Sequence, residues 1–518
     1  MEFKTIFKRY SKAALISFAT LSFAFGGFSG ASAEYMRDDS RVSWPDFVND
    51  EMQDFRQRAV VLNVDKTFTI TPAVPLFRKG RQVADYRSAF QSKKIRSEGG
   101  KLVIPLSTIP IYLEENTGAE NRPRQDNPFG IQGPGEYDPH LADLGVRLVR
   151  SAGDIRMAWG QIEPERGRID WEHVNKIDRA ISEFNRNGVT MMVTVYTQNP
   201  WDQLGDERAR NFWAQWKRNP GEQEGKLKAK LPRDMDAYSN FLRRIVERYD
   251  GDGVDDAPGS PVIKYWQITN EADLDWKDSP ANFARLQKAS YKAIKDANPA
   301  AQVVISGVGM PRGFISFYEP MLEELDRLRD MSSDRFFDIF DFHWWVGGDG
   351  GYLNAPNKHF MGGIEGFKDY VELIRRTLIR HNFDSPLWIT EMCTHIGKPK
   401  MGNVDFKFQT ELDQAAELPK RFVYSFSLGV EKIFWSRISD QLSWGGNANS
   451  FFNTVGLINN PKRDGDASKK LSYYAYKMLI EKLEGSDFRR IERLNLGEDV
   501  FAYKFIKNGK AVYVMWLR

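Results

Sequence analysis

The stretch DWEHVNKIDRAISEFNRNGVTMMVTVY (170–196) contains the unit that decides the fold. Its first part has apolar side chains spaced to share one face of a helix, namely Val174, Ile177, Ile181 and Phe184. Its second part is a short β-branched run, which is typical of a strand buried on both faces. The stretch therefore predicts a helix that leads into a parallel strand.

The same alternation of strands and helices continues on both sides of this unit. Further helices are predicted over 236–251 and 279–299. Eight strands are predicted: FGIQ (129–132), GVRLVR (145–150), VTMMVTVY (189–196), VIKYWQITN (262–270), AQVVISGVG (301–309), FFDIFDFHWW (336–345), PLWITEM (386–392) and EKIFWSRI (431–438). Eight strands in one repeating α/β pattern favour a closed (β/α)8 TIM barrel over 128–484, because an open sheet would leave two edges to cover.

The N-terminus has the order of segments that is typical of a secretory signal peptide. Four basic residues precede an uncharged run from Ala13 to Gly30, and the small-residue triplet Ala31-Ser32-Ala33 follows. We predict a signal peptide over 1–33, an N-terminal extension over 34–57, and a secreted or periplasmic protein. The alternative is a membrane anchor, but the apolar part ends near Phe25, which is short for a bilayer span. No other stretch is long and apolar enough, so no membrane span is expected in the mature chain.

Charge and cysteine content argue against a nucleic-acid-binding protein and against a disulfide-stabilised protein. Removing the four basic residues and one acidic residue of the predicted signal peptide from totals of 73 and 70 leaves a neutral chain. A neutral chain offers no basic surface for nucleic acid. Cys393 is the single cysteine, so an intramolecular disulfide is impossible, and we predict a small buried thiol.

Two of the predicted strands end in glutamate. The fourth ends in YWQITNE at Asn270-Glu271, and the seventh ends in LWITE at Glu391. The C-terminal strand ends of a (β/α)8 barrel face one another around its active-site mouth. Glycosidic bond cleavage commonly uses two carboxyl groups that face each other across the bond. The pair therefore predicts a glycoside hydrolase.

With these two motifs, residues 128–480 resemble the clan A glycoside hydrolases, particularly family 39 and family 5-like proteins. The resemblance implies a retaining β-glycosidase with Glu271 as general acid/base and Glu391 as nucleophile, acting on a carbohydrate without a metal or other cofactor. It implies that Asn270 holds the sugar 2-hydroxyl and that Arg150, at the end of strand two, keeps the nucleophile ionised. It also implies that His343 neighbours the nucleophile.

Aromatic and polar residues that follow the strands are candidates for sugar contacts. The resemblance implies that Trp435, at the end of strand eight, forms the floor of the sugar subsite. Further candidate subsite residues are Tyr196, Gln198, Trp201, Trp344 and Trp444.

Rival signals are weaker. Gly307, Gly309 and Gly313 follow a strand, but the spacing of the third glycine is wrong for a dinucleotide-binding loop. The histidines show no metal-ligand spacing. The alternative from another functional class is a catalytically inactive glycan-binding barrel, in which substitution of either glutamate would leave the function unchanged.

The two ends of the chain are rich in short strands. Residues 58–127 contain three strand-like runs, and 485–518 contain a hairpin with its turn at Asn508-Gly509. In the families that this chain resembles, a small β-sandwich commonly follows the barrel. The sequence that resembles the second half of that sandwich lies at 98–115 in this chain, before the barrel. Because a two-stranded hairpin is marginal in water, we predict an accessory β-sandwich assembled from both ends in circularly permuted order. The alternative is a truncated C-terminus beside an unrelated N-terminal β-domain.

Overall fold

The structure is a computed structural model, and it describes residues 58–75, 86–115, 127–151, 155–218, 226–344, 363–401, 404–442, 450–465 and 467–518. The predicted signal peptide (1–33), the predicted extension (34–57) and Trp444 lie outside the described residues. In the part of the chain that is described, no helix combines the length and the apolar character that a bilayer span requires.

Eight parallel strands form the central sheet. We number them in chain order: β1 (Phe129–Gln132), β2 (Leu148–Arg150), β3 (Thr190–Tyr196), β4 (Tyr265–Ile268), β5 (Gln302–Val304), β6 (Phe340–Trp344), β7 (Leu387–Met392) and β8 (Val430–Trp435). They pair in the order β5-β4-β3-β2-β1-β8-β7-β6, and the two-residue strand Met157–Ala158 pairs with β3. Parallel bridges from Val304 to Ile339 and from Val308 to Phe342 close the ring between β5 and β6. The predicted (β/α)8 barrel is confirmed.

Helices follow the strands and form the outer layer. The longer ones are Trp171–Arg186, Asp206–Arg218, Met235–Glu247, Pro280–Ala297, Glu319–Arg327, Gly363–Arg380, Glu411–Ser427 and Leu471–Leu483. The shorter ones are His140–Leu144, Trp159–Ile162, Pro200–Leu204, Ala272–Asp275, Pro311–Gly313, Phe314–Tyr318, Phe451–Asn453 and Pro461–Asp464, and a small hairpin pairs Lys400–Met401 with Val404–Asp405.

Local sequence signals explain where two of these helices begin. The side chain of Asp170 accepts a hydrogen bond from the backbone N–H of His173, and the side chain of Ser279 accepts one from Asn282. Each side chain thereby satisfies a backbone donor that has no partner inside the helix. The helices predicted from 170 and 279 therefore start within a residue of the expected positions.

The lower part of the barrel is filled by one layer of side chains. Seven of them cluster inside the ring: Leu148, Met192, Tyr265, Val304, Ile339, Trp388 and Phe434. β1 contributes Gly130 instead, where an added Cβ would lie 2.6 Å from the ring of Phe434. Because this layer closes the barrel from below, polar side chains further along the strands lie near its C-terminal mouth.

The accessory strands form two sheets that share one core. Arg58–Asn63 pairs with Lys101–Leu106 in a two-stranded sheet. A six-stranded sheet has the order Glu492–Arg493, Val500–Lys507, Lys510–Leu517, Ile111–Glu115, Thr67–Pro72 and Lys93–Arg96. Apolar side chains from both sheets pack together in one buried cluster, which makes the arrangement a small sandwich.

The C-terminal hairpin obtains its partner strand from the other end of the described chain. Its turn residues Asn508 and Gly509 have φ values of 51° and 79°, as a two-residue hairpin turn requires. Its second strand pairs antiparallel with Ile111–Glu115, with Met515 opposite Ile111 and Val512 opposite Glu114. This is the strand pairing on which the prediction of a permuted sandwich depends.

Candidate active site

The two predicted carboxyl groups meet at the C-terminal mouth of the barrel. Glu391 is the fifth residue of β7, and Glu271 is the third residue after the end of β4. One carboxylate oxygen of each lies within 4.8 Å of the other and of a ring nitrogen of His343. The three side chains therefore form a single cluster, although they come from β4, β6 and β7.

The carboxylate of Glu391 is held by donors from the opposite side of the barrel. Its Oε1 accepts hydrogen bonds from Nη1 of Arg150 at 2.6 Å and from Nε2 of Gln132 at 3.2 Å. Burial acts to raise the pKa of Glu391, but the cations His343 and Arg150 outweigh it and hold the pKa below the usual range. Glu391 is therefore ionised at neutral pH.

Arg150 is fixed beneath the mouth and is 1% exposed. Its Nε and Nη2 donate to Oε1 of Gln267 at 2.9 and 2.7 Å, and Nη2 also donates to Oδ1 of Asn270 at 2.5 Å. The expected contact with Glu391 is present, and the remaining donors are occupied by protein acceptors. Arg150 consequently acts through Glu391 and Asn270 rather than through an exposed guanidinium.

Glu271 has a different environment, dominated by one cation. Nδ1 of His343 lies 2.7 Å from Oε1 of Glu271 and 3.9 Å from Oε2 of Glu391. Burial raises the pKa of Glu271 to about 7, and His343 opposes this rise while Glu391 adds to it. Burial also acts to lower the pKa of His343, but the two glutamates reverse this effect and raise it to about 10. His343 is therefore an imidazolium whose two nitrogens both donate.

A buried polar layer below the cluster was missed by the sequence analysis. Oδ2 of Asp341 accepts hydrogen bonds from Nε2 of Gln267 at 2.7 Å and from Oγ1 of Thr390 at 2.5 Å, and it lies 3.5 Å from Nε2 of His343. A signal was available, because Asp341 lies two residues before His343 and therefore has the same inward parity on β6. A buried aspartate in an apolar strand points to such a network.

The backbone around Glu271 requires unusual conformations and small residues. Thr269, two residues before Glu271, has a φ of 63°, which is rare for a β-branched residue. This left-handed conformation ends β4 at Ile268, two residues before the end of the predicted strand. An added Cβ would lie 2.2 Å from Nε2 of His343 at Gly307 and 2.9 Å from Oε1 of Glu271 at Gly309. The glycine motif therefore makes room for the site, which is a different role from binding a dinucleotide.

The predicted subsite residues divide into packed and half-buried groups. Trp435 is buried and donates from Nε1 to the carbonyl of Val455 at 3.0 Å, and Trp201 is buried and donates to the carbonyl of Glu163 at 2.9 Å. Trp344 is buried and stacks on Phe367 with the ring centroids 3.6 Å apart.

Tyr196 and Gln198, at the end of β3, are half-buried. The roles of these two residues and of the three buried tryptophans in sugar binding stay predictions.

Comparisons with known proteins give short sequence matches to glycosidases. No family model matches the chain. It is 25% identical over 193 residues to β-galactosidase BbgII of Bifidobacterium bifidum, covering 33% of this chain and 25% of the relative. It is 31% identical over 136 residues to β-galactosidase Bga of Halorubrum lacusprofundi, covering 25% of this chain and 17% of the relative. The matches thus span a quarter or less of these relatives.

The similarity in structure is much more extensive. A family 39 glycoside hydrolase from Bacteroides cellulosilyticus WH2 superposes with a TM-score of 0.54 and 17% identity, covering 89% of this chain and 87% of that chain. This chain therefore has the fold of a family 39 glycoside hydrolase.

Proposed function

We propose that this protein is a retaining β-glycosidase, with Glu391 as nucleophile and Glu271 as general acid/base. We also propose that it is exported and acts on an extracytoplasmic poly- or oligosaccharide. The sequence matches to two β-galactosidases support hydrolysis of a β-linked sugar, and the predicted signal peptide supports export.

One observation carries the proposal. The carboxyl groups of Glu391, which is buried, and Glu271, which is half-buried, each have an oxygen within 4.8 Å of the other, and their pKa values move in opposite directions. Opposed pKa values divide the roles of acid and base between two like groups. The short separation favours the retaining mechanism, because an inverting enzyme needs about 6.5–9.5 Å between the carboxyl groups to admit a water.

In the first step the carboxylate of Glu391 attacks the anomeric carbon. As this bond forms, Glu271 gives its proton to the glycosidic oxygen, and the bond from that oxygen to the anomeric carbon breaks. Nδ1 of His343 donates to Oε1 of Glu271, so the acidic proton belongs on Oε2. The aglycone leaves as an alcohol, and the sugar stays on Glu391 as an ester.

In the second step Glu271, now ionised, accepts a proton from water. That water attacks the anomeric carbon and displaces the carboxylate of Glu391, which restores both residues. Arg150 orients Asn270 by donating to its Oδ1. Nδ2 of Asn270 donates one N–H to Oε2 of Glu271 at 3.5 Å, and its other N–H is the donor for the sugar 2-hydroxyl. The anomeric configuration is retained because it is inverted twice.

The proposal is tested by replacing each glutamate and assaying aryl β-glycosides. Glu391→Ala should reduce turnover by at least about 1,000-fold, since the covalent step is lost. Glu271→Ala should slow hydrolysis most for poor leaving groups, and azide should restore rate with formation of a glycosyl azide. Glu323→Ala, on an exposed position of the helix Glu319–Arg327, is the matched control and should be silent.

Product analysis by NMR provides an independent test of stereochemistry. A first-formed product with inverted configuration would refute the retaining assignment. Glycan binding that is unchanged in Glu271→Ala and Glu391→Ala, together with an absence of hydrolysis by the wild type, would instead establish an inactive glycan-binding barrel.

A further inference from the structure

A second arginine lies close to the nucleophile at the end of β8. Arg437 follows Trp435 by two residues and is half-buried. A Cβ added to Gly133, which follows β1, would lie 3.1 Å from Nη1 of Arg437, so the guanidinium lies against the end of β1. Its charge contributes to the low pKa of Glu391.

Arg437 differs from Arg150 in what its donors contact. Every side-chain nitrogen of Arg150 donates to a protein acceptor. By contrast, Nε of Arg437 is buried and has no hydrogen-bond partner among the described residues. Oε1 of Gln132, next to Gly133, is likewise buried without a partner there. A buried guanidinium N–H is costly to leave unpaired, so Nε of Arg437 indicates an acceptor on a ligand at this edge of the mouth. Oε1 of Gln132 requires a donor instead, such as a sugar hydroxyl.

The position of Arg437 relative to Asn270 defines which part of a sugar it meets. In the closed ring β8 is four strands from β4 in both directions, so the two strands are diametrically opposite. C2 and C5 are likewise opposite atoms of a pyranose ring. If Asn270 holds the 2-hydroxyl, as the proposed function states, the substituent on C5 is directed towards β8 and Arg437.

We propose that Arg437 binds the carboxylate of a uronic acid, carried on C5 of the sugar that Glu391 attacks. This assignment rests on the proposed function and specifies its substrate as a β-linked uronide. Guanidinium and carboxylate match in geometry and charge, and their hydrogen bonds are about twice as strong as neutral ones.

The charges around the site favour an anion at this position. The three cations Arg150, His343 and Arg437 face the two carboxylates of Glu391 and Asp341, while Glu271 holds the proton, so one positive charge has no matching anion. Burial and the neighbouring Arg150 lower the pKa of Arg437, while Glu391 acts in the opposite direction. A substrate carboxylate would complete the charge balance without displacing Arg150.

The test compares aryl glycosides that differ only at C5. Wild-type kcat/KM is measured for p-nitrophenyl β-D-glucuronide against the β-D-glucoside, and for the β-D-galacturonide against the β-D-galactoside. A β-D-galactoside sulfated at O6 is the third arm. The wild type should prefer a uronide to its neutral counterpart. Arg437→Met should reduce kcat/KM for that uronide by about 10- to 150-fold, the range expected for a lost charged hydrogen bond. The uronide preference, which is the ratio of kcat/KM for the uronide to kcat/KM for its neutral counterpart, should therefore fall, because the loss of a cation near Glu391 affects both substrates alike.

Two control variants separate charge at this position from charge in general. Arg437→Lys should retain part of the preference, because the cation remains without the two-pronged geometry. Arg312→Met removes an exposed arginine after β5 and should leave both substrates unaffected. Calorimetric binding of free D-glucuronate and D-galacturonate, against D-glucose and D-galactose, provides a readout that does not need turnover.

The outcomes distinguish this inference from the proposed function. Hydrolysis of neutral glycosides with no uronide preference overturns the inference and leaves the glycosidase assignment standing. Arg437-dependent binding of a uronate without hydrolysis of any glycoside supports the uronate site and overturns the glycosidase assignment. A preference for the sulfated galactoside overturns the choice of a uronic acid. Absence of both hydrolysis and binding overturns both proposals.

Discussion

Replacing His343 by glutamine should move the whole pH–rate profile to higher pH. The imidazolium lies 2.7 Å from Glu271 and 3.9 Å from Glu391, and it is the nearest cation that both carboxyl groups share. Glutamine has a similar reach and can still donate a hydrogen bond, but it carries no charge. The substitution therefore removes the electrostatic effect while it preserves much of the packing.

The expected magnitude follows from the distances. Two unit charges about 4 Å apart interact by about 4 kcal/mol at an effective dielectric constant near 20, and by about 1 kcal/mol in water. At about 1.4 kcal/mol per pKa unit these limits correspond to shifts of about 3 units and just under 1 unit. A cation favours the ionised carboxylate, so its removal raises both pKa values. We expect upward shifts of about 1 to 3 units.

The assay is the pH dependence of kcat/KM, which reports the groups of the free enzyme. The acidic limb follows ionisation of Glu391, and the basic limb follows loss of the proton from Glu271. Both limbs should move upward in His343→Gln. Arg150→Met is the matched comparison, because Arg150 bonds Glu391 and not Glu271, so only the acidic limb should move. Limbs within about 0.3 units of the wild type, in a folded and active His343→Gln variant, would refute the reasoning.

Three further predictions concern the packing around the site and the accessory sandwich. Gly307→Ala would place a Cβ 2.2 Å from Nε2 of His343, so kcat/KM should fall at least about 10-fold while the circular dichroism spectrum is retained; normal kinetics would contradict the contact. Leu102→Ala should reduce the free energy of unfolding in urea by about 2–5 kcal/mol without changing kcat, because Leu102 is 1% exposed in the sandwich core. Val103→Ala, next to it and 60% exposed, should cost less than about 0.5 kcal/mol, and equal losses would show that the two sheets do not pack as described. The thiol of Cys393 is buried and its pKa is raised to about 12, so a thiol reagent at pH 8 should label it only in denaturant, and labelling of the native protein would count against this burial.

Much of the barrel was predictable because its signals are local. Each strand is a short apolar run, and helices such as Trp171–Arg186 and Pro280–Ala297 have a cap and an apolar stripe that the sequence alone displays. Counting the runs placed Glu271 after the fourth strand and Glu391 on the seventh, and the structure has the same order. The role of Arg150 beside Glu391 was implied by the resemblance to the clan A glycoside hydrolases, and the two side chains form a hydrogen bond at 2.6 Å.

The polar layer beneath the glutamates was not predicted, because its meaning depends on contacts between distant strands. Gln267 and Asp341 look like isolated polar residues within apolar runs until β4 and β6 are brought together, where they hydrogen-bond at 2.7 Å. The burial of Trp201 was also not apparent. A tryptophan after a strand end is equally consistent with a sugar platform and with packing, and here its ring lies 4.9 Å from that of Trp159.

The asymmetry of the two carboxyl groups follows from the strands that surround them. Two carboxylates this close cannot both ionise without opposing charge. Arg150 and Gln132, from β2 and β1, both donate to Glu391, whereas His343 is the cation that touches Glu271. The carboxyl group with more cations around it loses its proton first, and its charge then raises the pKa of the other. The order of strands around the barrel thus assigns the proton to Glu271, and exchanging the roles of the two residues would require moving Arg150 to a different strand.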